Sequence, residues 1–326
     1  MLCIRNKNMN PCFNAAAEEY LFRNFTDDCF MLYRNIPSII VGKHQNTLAE
    51  INMDFVRRKN IKVVRRLSGG GAVYHDPGNL NFAFFHSGTE GKLVDFERFT
   101  EPIIGILNGL SVPARFGDHN DIRVDDRKIS GNAEHLFRNR IMHHGTLLFS
   151  SNLEDLIEAL HTDPDLYKDK AIKSIRSRVA NITEFLKHDL SIDEFRDLVF
   201  RQVMDLQDQA SWYEFSAEDM EQINRLVENK YSTWQWNFGY SPRYLFNKKI
   251  KAGRMNLRTE MMVEKGIISR IRIGTGKYGQ PGLKKVEQLL TGIKHSEWEI
   301  RNRLRSIEIT QSLPDFDQEE FILGLF

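Results

Sequence analysis

Residues 65 to 76 read RRLSGGGAVYHD, and the three consecutive glycines at 69 to 71 interrupt a region that otherwise favours β-strands. Glycine has no Cβ, so the main chain there can adopt positive φ and its N–H groups can approach a bulky ligand, often a phosphate. A flexible hairpin would explain the glycines equally well. Two arginines lie just before this loop, at 65 and 66, and a tyrosine and a histidine follow it, at 74 and 75, which favours an anion-binding loop.

This loop does not match the common nucleotide-binding patterns. The chain has no G-x-x-x-x-G-K-[ST] sequence, and the spacing of the glycines is wrong for G-x-G-x-x-G. Further donors for a phosphate must therefore come from other parts of the chain. Lys128 lies in NDIRVDDRKISGNA (120 to 133), where strand alternation predicts that its ammonium shares a face with Ser130. A solvated lysine on a strand is the alternative interpretation.

Two more segments are candidates for the same site. HHGTLLF (143 to 149) supplies a glycine and a threonine before a predicted buried strand. The alternative interpretation is that this segment has only a structural role. KAIKSIRSRVANI (170 to 182) carries four cations in a segment that need not be regular, and would otherwise be a solvated basic face.

The composition is that of a globular protein with a substantial core. The chain has 326 residues, 41% hydrophobic and 27% charged, and its 45 Lys+Arg nearly balance its 44 Asp+Glu. No overall field therefore favours nucleic acid or an anionic membrane. The chain shows no signal peptide and no run of about 18 apolar residues. Cys3, Cys12 and Cys29 have neither metal-ligand nor disulfide spacing, so we expect small buried thiols and a cytoplasmic location.

The order of predicted elements indicates an α/β fold in two parts. A helix begins at Asn10-Pro11, short apolar runs between 29 and 149 read as strands, and residues 95 to 110 read as a helix despite Pro102. From 151 the pattern is helical, with capping-box spacing at Ser191 and Glu194, and a further helix from Ser216 to about Asn229. A hairpin with EKG at its turn follows. We predict a mixed α/β domain over 1–240 and a small α+β module over 241–326.

These segments together resemble the lipoate-protein ligase family of the biotin and lipoate ligase superfamily. The matching stretches are RRLSGGGAVYHDPGNLNF (65 to 82), NDIRVDDRKISGNA, HHGTLLF and KSIRSRVANI (173 to 182), followed by WNFGYSPRY and a hairpin. They occur in the family's order and at about its spacing. The resemblance implies a class II synthetase-like catalytic domain with a mixed sheet flanked by helices, and a small C-terminal accessory domain.

The resemblance also implies an activity in two steps. Lipoate and ATP give lipoyl-AMP and pyrophosphate; the lipoyl group then passes to a lysine of an apo lipoyl domain, in a 2-oxoacid dehydrogenase E2 subunit or the glycine cleavage H protein. Mg²⁺ is expected to accompany the pyrophosphate, with no protein ligand identifiable. No protein nucleophile is required, because AMP is a good leaving group, and no cysteine follows Cys29.

The motifs carry specific residues over to this chain. The implied ligands of the nucleotide are Arg66, Gly71, Ala72, Val73, Tyr74, Asn120, Asp121, Lys128, Gly145, Thr146 and the 173 to 181 segment. The implied contacts of lipoate are Gly70, Gly71, His75 and Lys128, and Lys128 is the implied catalytic residue.

Other residues are candidates on chemistry alone. The lipoyl tail needs an apolar tunnel, for which Val41, Gly42, Phe82 and Phe84 are candidates, although each suits a plain core equally well. The histidines that could act as bases are His44, His75, His143 and His144, and none has an orienting partner nearby in the sequence.

Three alternatives remain open at this point. A lipoyltransferase that uses preformed lipoyl-AMP needs the same adenylate site. A biotin ligase is disfavoured because its GRGRxG-type signature is absent. A non-catalytic protein that binds lipoate or nucleotide is disfavoured by the charge set at Arg66 and Lys128.

Overall fold

The computed structural model describes residues 1–88, 94–207, 209–275, 281–305 and 315–326. The chain divides into two compact units. The first comprises Met1–Lys43, Phe55–Leu160 and Ser174–Thr233, and the second comprises His44–Asp54, His161–Lys173 and Trp234–Phe326.

The strands and helices follow one another as a mixed α/β chain. The strands are β1 Leu2–Arg5, β2 Cys29–Tyr33, β3 Ser38–Val41, β4 Lys62–Arg65, β5 Val73–His75, β6 Asn79–Ser87, β7 Arg115–Phe116, β8 Asp121–Val124, β9 Arg127–Phe137, β10 Arg140–Leu148, β11 Tyr167–Asp169, β12 Ser211–Trp212, β13 Tyr244–Ala252, β14 Met255–Glu264 and β15 Ile267–Gly274. The helices are α1 Pro11–Asn24, α2 Thr47–Glu50, α3 Met53–Lys59, α4 Phe96–Gly109, α5 Leu153–Ala159, α6 Ile192–Asp205, α7 Ala217–Leu226, α8 Pro281–Leu290, α9 Glu297–Arg305 and α10 Gln318–Gly324.

The first unit is built on a large mixed sheet flanked by helices, as expected. Its eight strands lie in the order β12-β1-β2-β6-β10-β9-β8-β7, and a separate three-stranded sheet has the order β4-β3-β5. In the large sheet β1 runs parallel to β2 and β12, and the other pairings are antiparallel. Its core contains buried aromatic and aliphatic side chains, each contributing roughly 1.5–3 kcal/mol of burial. Among them are Phe30, Phe82, Ile103, Ile129 and Phe195.

The predicted helix N-termini are confirmed. The Asn10 side chain accepts from the amide of Cys12, with Pro11 at the first helical position of α1. Both capping boxes, Ser191 with Glu194 and Ser216 with Asp219, are formed. The α-helical part of α7 ends at Leu226, earlier than the predicted end near Asn229. A π-helical turn follows it over Val227–Tyr231.

The second unit contains a four-stranded antiparallel sheet in the order β11-β13-β14-β15, with α8, α9 and α10 contributing to its core. The predicted hairpin is confirmed, and its turn is Lys265-Gly266 with φ of 51° and 77°. Positive φ at both positions matches the right-handed twist of the flanking strands. Within the described ranges, no helix combines the length and apolar character needed to cross a membrane.

Candidate active site

Arg66 shapes the triglycine loop from within. Its guanidinium is buried and donates four hydrogen bonds: Nε to Ser68 Oγ (2.9 Å), Nη1 to the Ile40 carbonyl (3.1 Å), and Nη2 to the carbonyls of Gly69 (2.6 Å) and Gly71 (2.8 Å). The rigid fork of arginine suits several acceptors at once. The loop therefore curls around this side chain, with Gly70 at φ +84°.

The carbonyls of Gly69 and Gly71 accept hydrogen bonds, whereas the amides of the loop are open. In the described part of the chain, the N–H groups of Gly69, Gly70 and Gly71 meet no acceptor. The next amide, that of Ala72, donates to Ser174 Oγ (2.8 Å). Successive main-chain N–H groups around a residue of positive φ form an anion-binding concavity. The glycines thus leave three donors and no side-chain wall in a partly exposed loop.

Lys128 lies on β9 at an irregularity of the sheet. The register of β8 and β9 shifts between Ile122 and Arg123, so strand alternation is interrupted beside Lys128. Its Nζ lies 2.9 Å from the position that a Cβ on Gly131 would take, so the ammonium lies on the side-chain face of Gly131. The prediction that it shares a face with Ser130 is therefore wrong. Burial lowers the pKa of Lys128, and the Asp121 carboxylate partly offsets this shift.

One segment joins Lys128 to the triglycine loop. Lys128 N donates to the Arg178 carbonyl (2.8 Å), and its own carbonyl accepts from Ala180 N (3.1 Å). At its other end this segment places Ser174 against the loop, because a Cβ on Gly71 would lie 3.0 Å from Ser174 Cα. Four residues of extended chain span at most about 14 Å, which bounds the distance between the two contacts.

The remaining predicted ligands surround the strand of Lys128. Thr146 Oγ1 accepts from Gly131 N (3.1 Å), and the Asn120 carbonyl accepts from Asn132 Nδ2 (3.0 Å). Asp121 is fully buried; Arg123 bonds its Oδ2, and Oδ1 has no hydrogen-bond partner among the described residues.

Gly145 is required by close packing on its strand. A Cβ there would lie 2.2 Å from Asn132 Oδ1 and 2.5 Å from the Phe82 ring. Phe82, like Val41 and Phe84, is buried. The tunnel for the lipoyl tail stays a prediction.

The four histidines have distinct surroundings that the sequence did not reveal. His44 is exposed and belongs to the second unit. His75 Nδ1 lies 2.9 Å from Asn35 Nδ2, and burial lowers its pKa to about 3, so its ring is neutral. His143 Nδ1 lies 2.8 Å from Glu134 Oε1, and His144 Nδ1 lies 3.0 Å from Glu18 Oε1.

Gly71 offers a direct test of the contact between the loop and Ser174. An alanine at this position would place Cβ 3.0 Å from Ser174 Cα, so the Ser174 segment must move. Such overpacking costs about 1–3 kcal/mol. In urea unfolding of the Gly71→Ala variant we expect the free energy of unfolding to fall by this amount. Gly69→Ala is the control for stability, since its Cβ meets nothing within 4 Å; an equal loss in both variants would contradict this explanation.

The buried pair of Glu134 and His143 predicts a pH dependence of stability. Burial raises the pKa of Glu134 to about 7 and lowers that of His143 to about 3. Between pH 4.5 and 7 the folded chain holds a proton on Glu134 that the unfolded chain releases, so this group's contribution to stability falls as the pH rises. Relative to the parent, Glu134→Gln is therefore expected to gain free energy of unfolding across this window. The slope should be at most about 1.4 kcal/mol per pH unit.

Urea unfolding of both proteins at several pH values would check this. A constant difference between pH 4.5 and 7 would contradict a raised pKa of Glu134.

Residues 10–204 match the lipoyl protein ligase A/B catalytic domain, and residues 241–325 match the bacterial lipoate protein ligase C-terminus. Lipoate-protein ligase LplJ of Bacillus subtilis is 40% identical over 329 residues, covering 99% of both chains. The chain belongs to the lipoate-protein ligase family.

Solved structures agree with this assignment. A lipoate-protein ligase A bound with ATP is 28% identical and superposes with a TM-score of 0.63, covering 73% of this chain and 98% of that one. A bi-partite lipoate protein ligase from Thermoplasma acidophilum, studied with its E2 lipoyl domain, is 27% identical with a TM-score of 0.63, covering 73% and 96%. The chain is thus an enzyme that ligates lipoate to proteins with ATP.

Three residues with no predicted role help to build the site of this ligase, namely Ser68, Gly131 and Asn132. Ser68 Oγ accepts from Arg66 Nε, and Gly131 and Asn132 lie against Lys128 and Gly145. All three lie inside the quoted motifs, so their position there was the available signal. Ser174, from the predicted 173 to 181 segment, accepts from the Ala72 amide beside the loop. In the described ranges, no three metal-ligating side chains gather in one place.

Proposed function

We propose that the triglycine loop and Lys128 hold opposite sides of one acyl-nucleotide during lipoate activation and transfer. The observation that carries this proposal is the set of three amides at Gly69 to Gly71 that meet no acceptor among the described residues, linked to Lys128 by the segment from Ser174 to Ala180. The amides would receive phosphate oxygens, and the ammonium would neutralise charge between the phosphate and the carboxylate.

In the first step a carboxylate oxygen of lipoate attacks the α-phosphorus of ATP. The new P–O bond forms as the bond to the β-phosphate oxygen breaks, and pyrophosphate leaves with the electron pair. Both reactants are negative, so catalysis requires cations and N–H donors to offset their repulsion. Lys128 suits this role because a compact ammonium follows charge as it moves between acceptors.

In the second step the ε-amine of an acceptor lysine attacks the acyl carbon of lipoyl-AMP. The amide C–N bond forms, the acyl C–O bond breaks, AMP leaves with the electron pair, and the amine releases a proton. The chain needs no covalent intermediate. Its three cysteines are free and buried, and burial raises the pKa of Cys3 to about 11 and of Cys29 to about 12, which disfavours thiolates.

The other predicted residues take supporting roles in this proposal. Four N–H groups of Arg66 already donate hydrogen bonds within the protein. Arg66 would therefore act on the nucleotide mainly through its positive charge and through the conformation of the loop. Tyr74 is buried, so it would contribute main-chain atoms from the edge strand β5. The remaining nucleotide contacts in the proposal are Ala72, Val73, Asn120, Asp121, Gly145 and Thr146, and the lipoate contacts are Gly70, Gly71, His75 and Lys128.

The finer partners are part of the same proposal. We propose apo lipoyl domains of 2-oxoacid dehydrogenase E2 subunits and the glycine cleavage H protein as acceptors, supported by the E2 lipoyl domain studied with the T. acidophilum ligase. We assign residues 1–240 to the catalytic domain and 241–326 to the accessory domain. The free buried cysteines support a reducing, cytoplasmic setting.

Two assays test the proposal. Purified protein with lipoate, Mg²⁺ and ATP should exchange labelled pyrophosphate into ATP, and the exchange should depend on lipoate. An apo lipoyl domain or apo H protein added to the mixture should gain one lipoyl group by intact mass. Absence of exchange, with transfer from supplied lipoyl-AMP intact, would favour a lipoyltransferase over a ligase.

A further inference from the structure

A chain of buried hydrogen bonds runs from helix α1 to the triglycine loop. The Tyr33 hydroxyl donates to Glu18 Oε1 (2.8 Å), whose carboxylate lies 3.0 and 3.1 Å from His144 Nδ1. His144 Nε2 lies 2.6 Å from Ser68 Oγ, and Ser68 Oγ accepts from Arg66 Nε (2.9 Å). All five residues are buried. The chain connects β2, α1 and β10 to the residue that shapes the loop.

We assign one direction to this chain. Arg66 only donates, so Ser68 Oγ accepts from Arg66 Nε, and we assign the hydroxyl hydrogen of Ser68 to the contact with His144 Nε2. The Nε2 atom is then an acceptor, and the ring carries its hydrogen on Nδ1, which donates to Glu18. The Glu18 carboxylate accepts from both His144 and Tyr33 in this assignment.

This arrangement supplies a counter-charge for Arg66. The hydrogen bonds of the guanidinium go to three carbonyls and one hydroxyl. Burial lowers the pKa of Arg66 to about 10, and the negative charge of Glu18 opposes this shift. A buried charge is costly unless an opposite charge offsets it. The charge of Glu18 offsets the buried charge of Arg66, and His144 and Ser68 lie between the two groups.

The neighbouring carboxylate has a separate set of partners. Glu19 Oε2 accepts from Lys230 Nζ (2.6 Å) and the Tyr231 hydroxyl (2.8 Å), and Oε1 accepts from Arg23 Nε (2.7 Å). Glu18 and Glu19 are thus two buried carboxylates, adjacent on α1, of which one reaches the triglycine loop.

We propose that Glu18 and His144 are positioning residues for the adenylation step, which hold Arg66 through Ser68 and thereby fix the curl of the triglycine loop. The inference rests on the proposed role of this loop as the phosphate cradle. Arg66 Nη2 donates to the carbonyls of Gly69 and Gly71. A shift of the guanidinium would therefore reorient the peptide groups between these two carbonyls, together with their N–H groups. A displacement of about 1 Å at a reacting centre can cost about 100-fold in rate.

The first experiment compares Glu18→Gln with Glu19→Gln. Glutamine keeps the size of the side chain and removes its charge. In the lipoate-dependent ATP–pyrophosphate exchange assay, Glu18→Gln is expected to raise KM for ATP about tenfold, which corresponds to about 1.4 kcal/mol. Glu19→Gln is expected to leave KM for ATP within about twofold of the parent. Equal KM values for the two variants would overturn the proposal, because a purely structural role predicts loss of stability in both.

A double-mutant cycle tests whether the chain acts as one unit. If Glu18 acts through Ser68, the double variant Glu18→Gln/Ser68→Ala should show a KM for ATP close to that of the worse single variant. Effects of the two substitutions that multiply would overturn the proposal. Should the parent show exchange that Lys128→Ala loses while Glu18→Gln remains normal, the proposed function stands and this inference alone fails.

A spectroscopic measurement on the parent protein keeps the inference testable if the variants fold poorly. Nitrogen NMR of labelled histidine should assign the hydrogen of His144 to Nδ1 at neutral pH. The signal is identified by its loss in His144→Gln. A hydrogen on Nε2 would reverse the direction of the chain and overturn the proposal.

Discussion

Lys128→Ala is expected to slow lipoate-dependent ATP–pyrophosphate exchange by about 10²- to 10³-fold, the usual effect of losing one donor at a developing charge. The fold should survive. Burial lowers the pKa of Lys128, so the charged ammonium is disfavoured in the folded protein. Removing this side chain removes the free-energy cost of burying the charge. We therefore expect the unfolding temperature to stay within about 4 °C of the parent.

Two variants sharpen this test. Lys62→Ala removes an exposed lysine from β4 and should leave exchange within about twofold. Lys128→Arg should also lose activity, because a planar guanidinium does not fit the space beside Gly131 that the ammonium occupies. Exchange above one-tenth of the parent rate in folded Lys128→Ala protein would contradict the proposed role.

Arg66→Met is expected to lower the free energy of unfolding by about 3–5 kcal/mol and to raise KM for ATP by more than tenfold. Methionine retains bulk but leaves the carbonyls of Ile40, Gly69 and Gly71 without their donor. The loop then loses the side chain around which it curls. Denaturant unfolding gives the first quantity, and exchange at varied ATP gives the second.

An exposed arginine provides the control for this variant. Arg98→Met removes a side chain on α4 that lies over the Phe99 ring, so it should cost less than about 1 kcal/mol and leave KM for ATP unchanged. Arg66→Lys should be intermediate in stability, because a single ammonium cannot reach all four acceptors. An Arg66→Met protein as stable as Arg98→Met would show that the four hydrogen bonds contribute little.

Local patterns in the chain predicted its elements well. Capping residues such as Asn10 and Ser191 act within one helical turn, and Lys265-Gly266 acts within one hairpin, so the sequence contains the full cause of each. The end of α7 was less predictable. A π-helical turn continues it beyond Leu226, and no local residue type signals that change of hydrogen bonding.

The placement of Lys128 shows where local reasoning stops. Strand alternation predicted a shared face with Ser130, but the irregular register of β8 and β9 and the open space at Gly131 redirect the ammonium. Arg66 is similar. The sequence predicted a positive charge beside the glycines, whereas in the folded chain two of the four hydrogen bonds of Arg66 go to the loop's own carbonyls.

By itself, the sequence determined the fold class, the family motifs and the presence of a glycine loop flanked by arginines, because these depend on residue type and spacing along the chain. Only the tertiary structure decided the partners of the buried polar groups, such as Glu18 for His144 and Glu134 for His143. Such pairs join residues 126 and 9 positions apart. A buried hydrogen bond depends on distance and direction in space, and those are fixed only when the sheet and helices have packed.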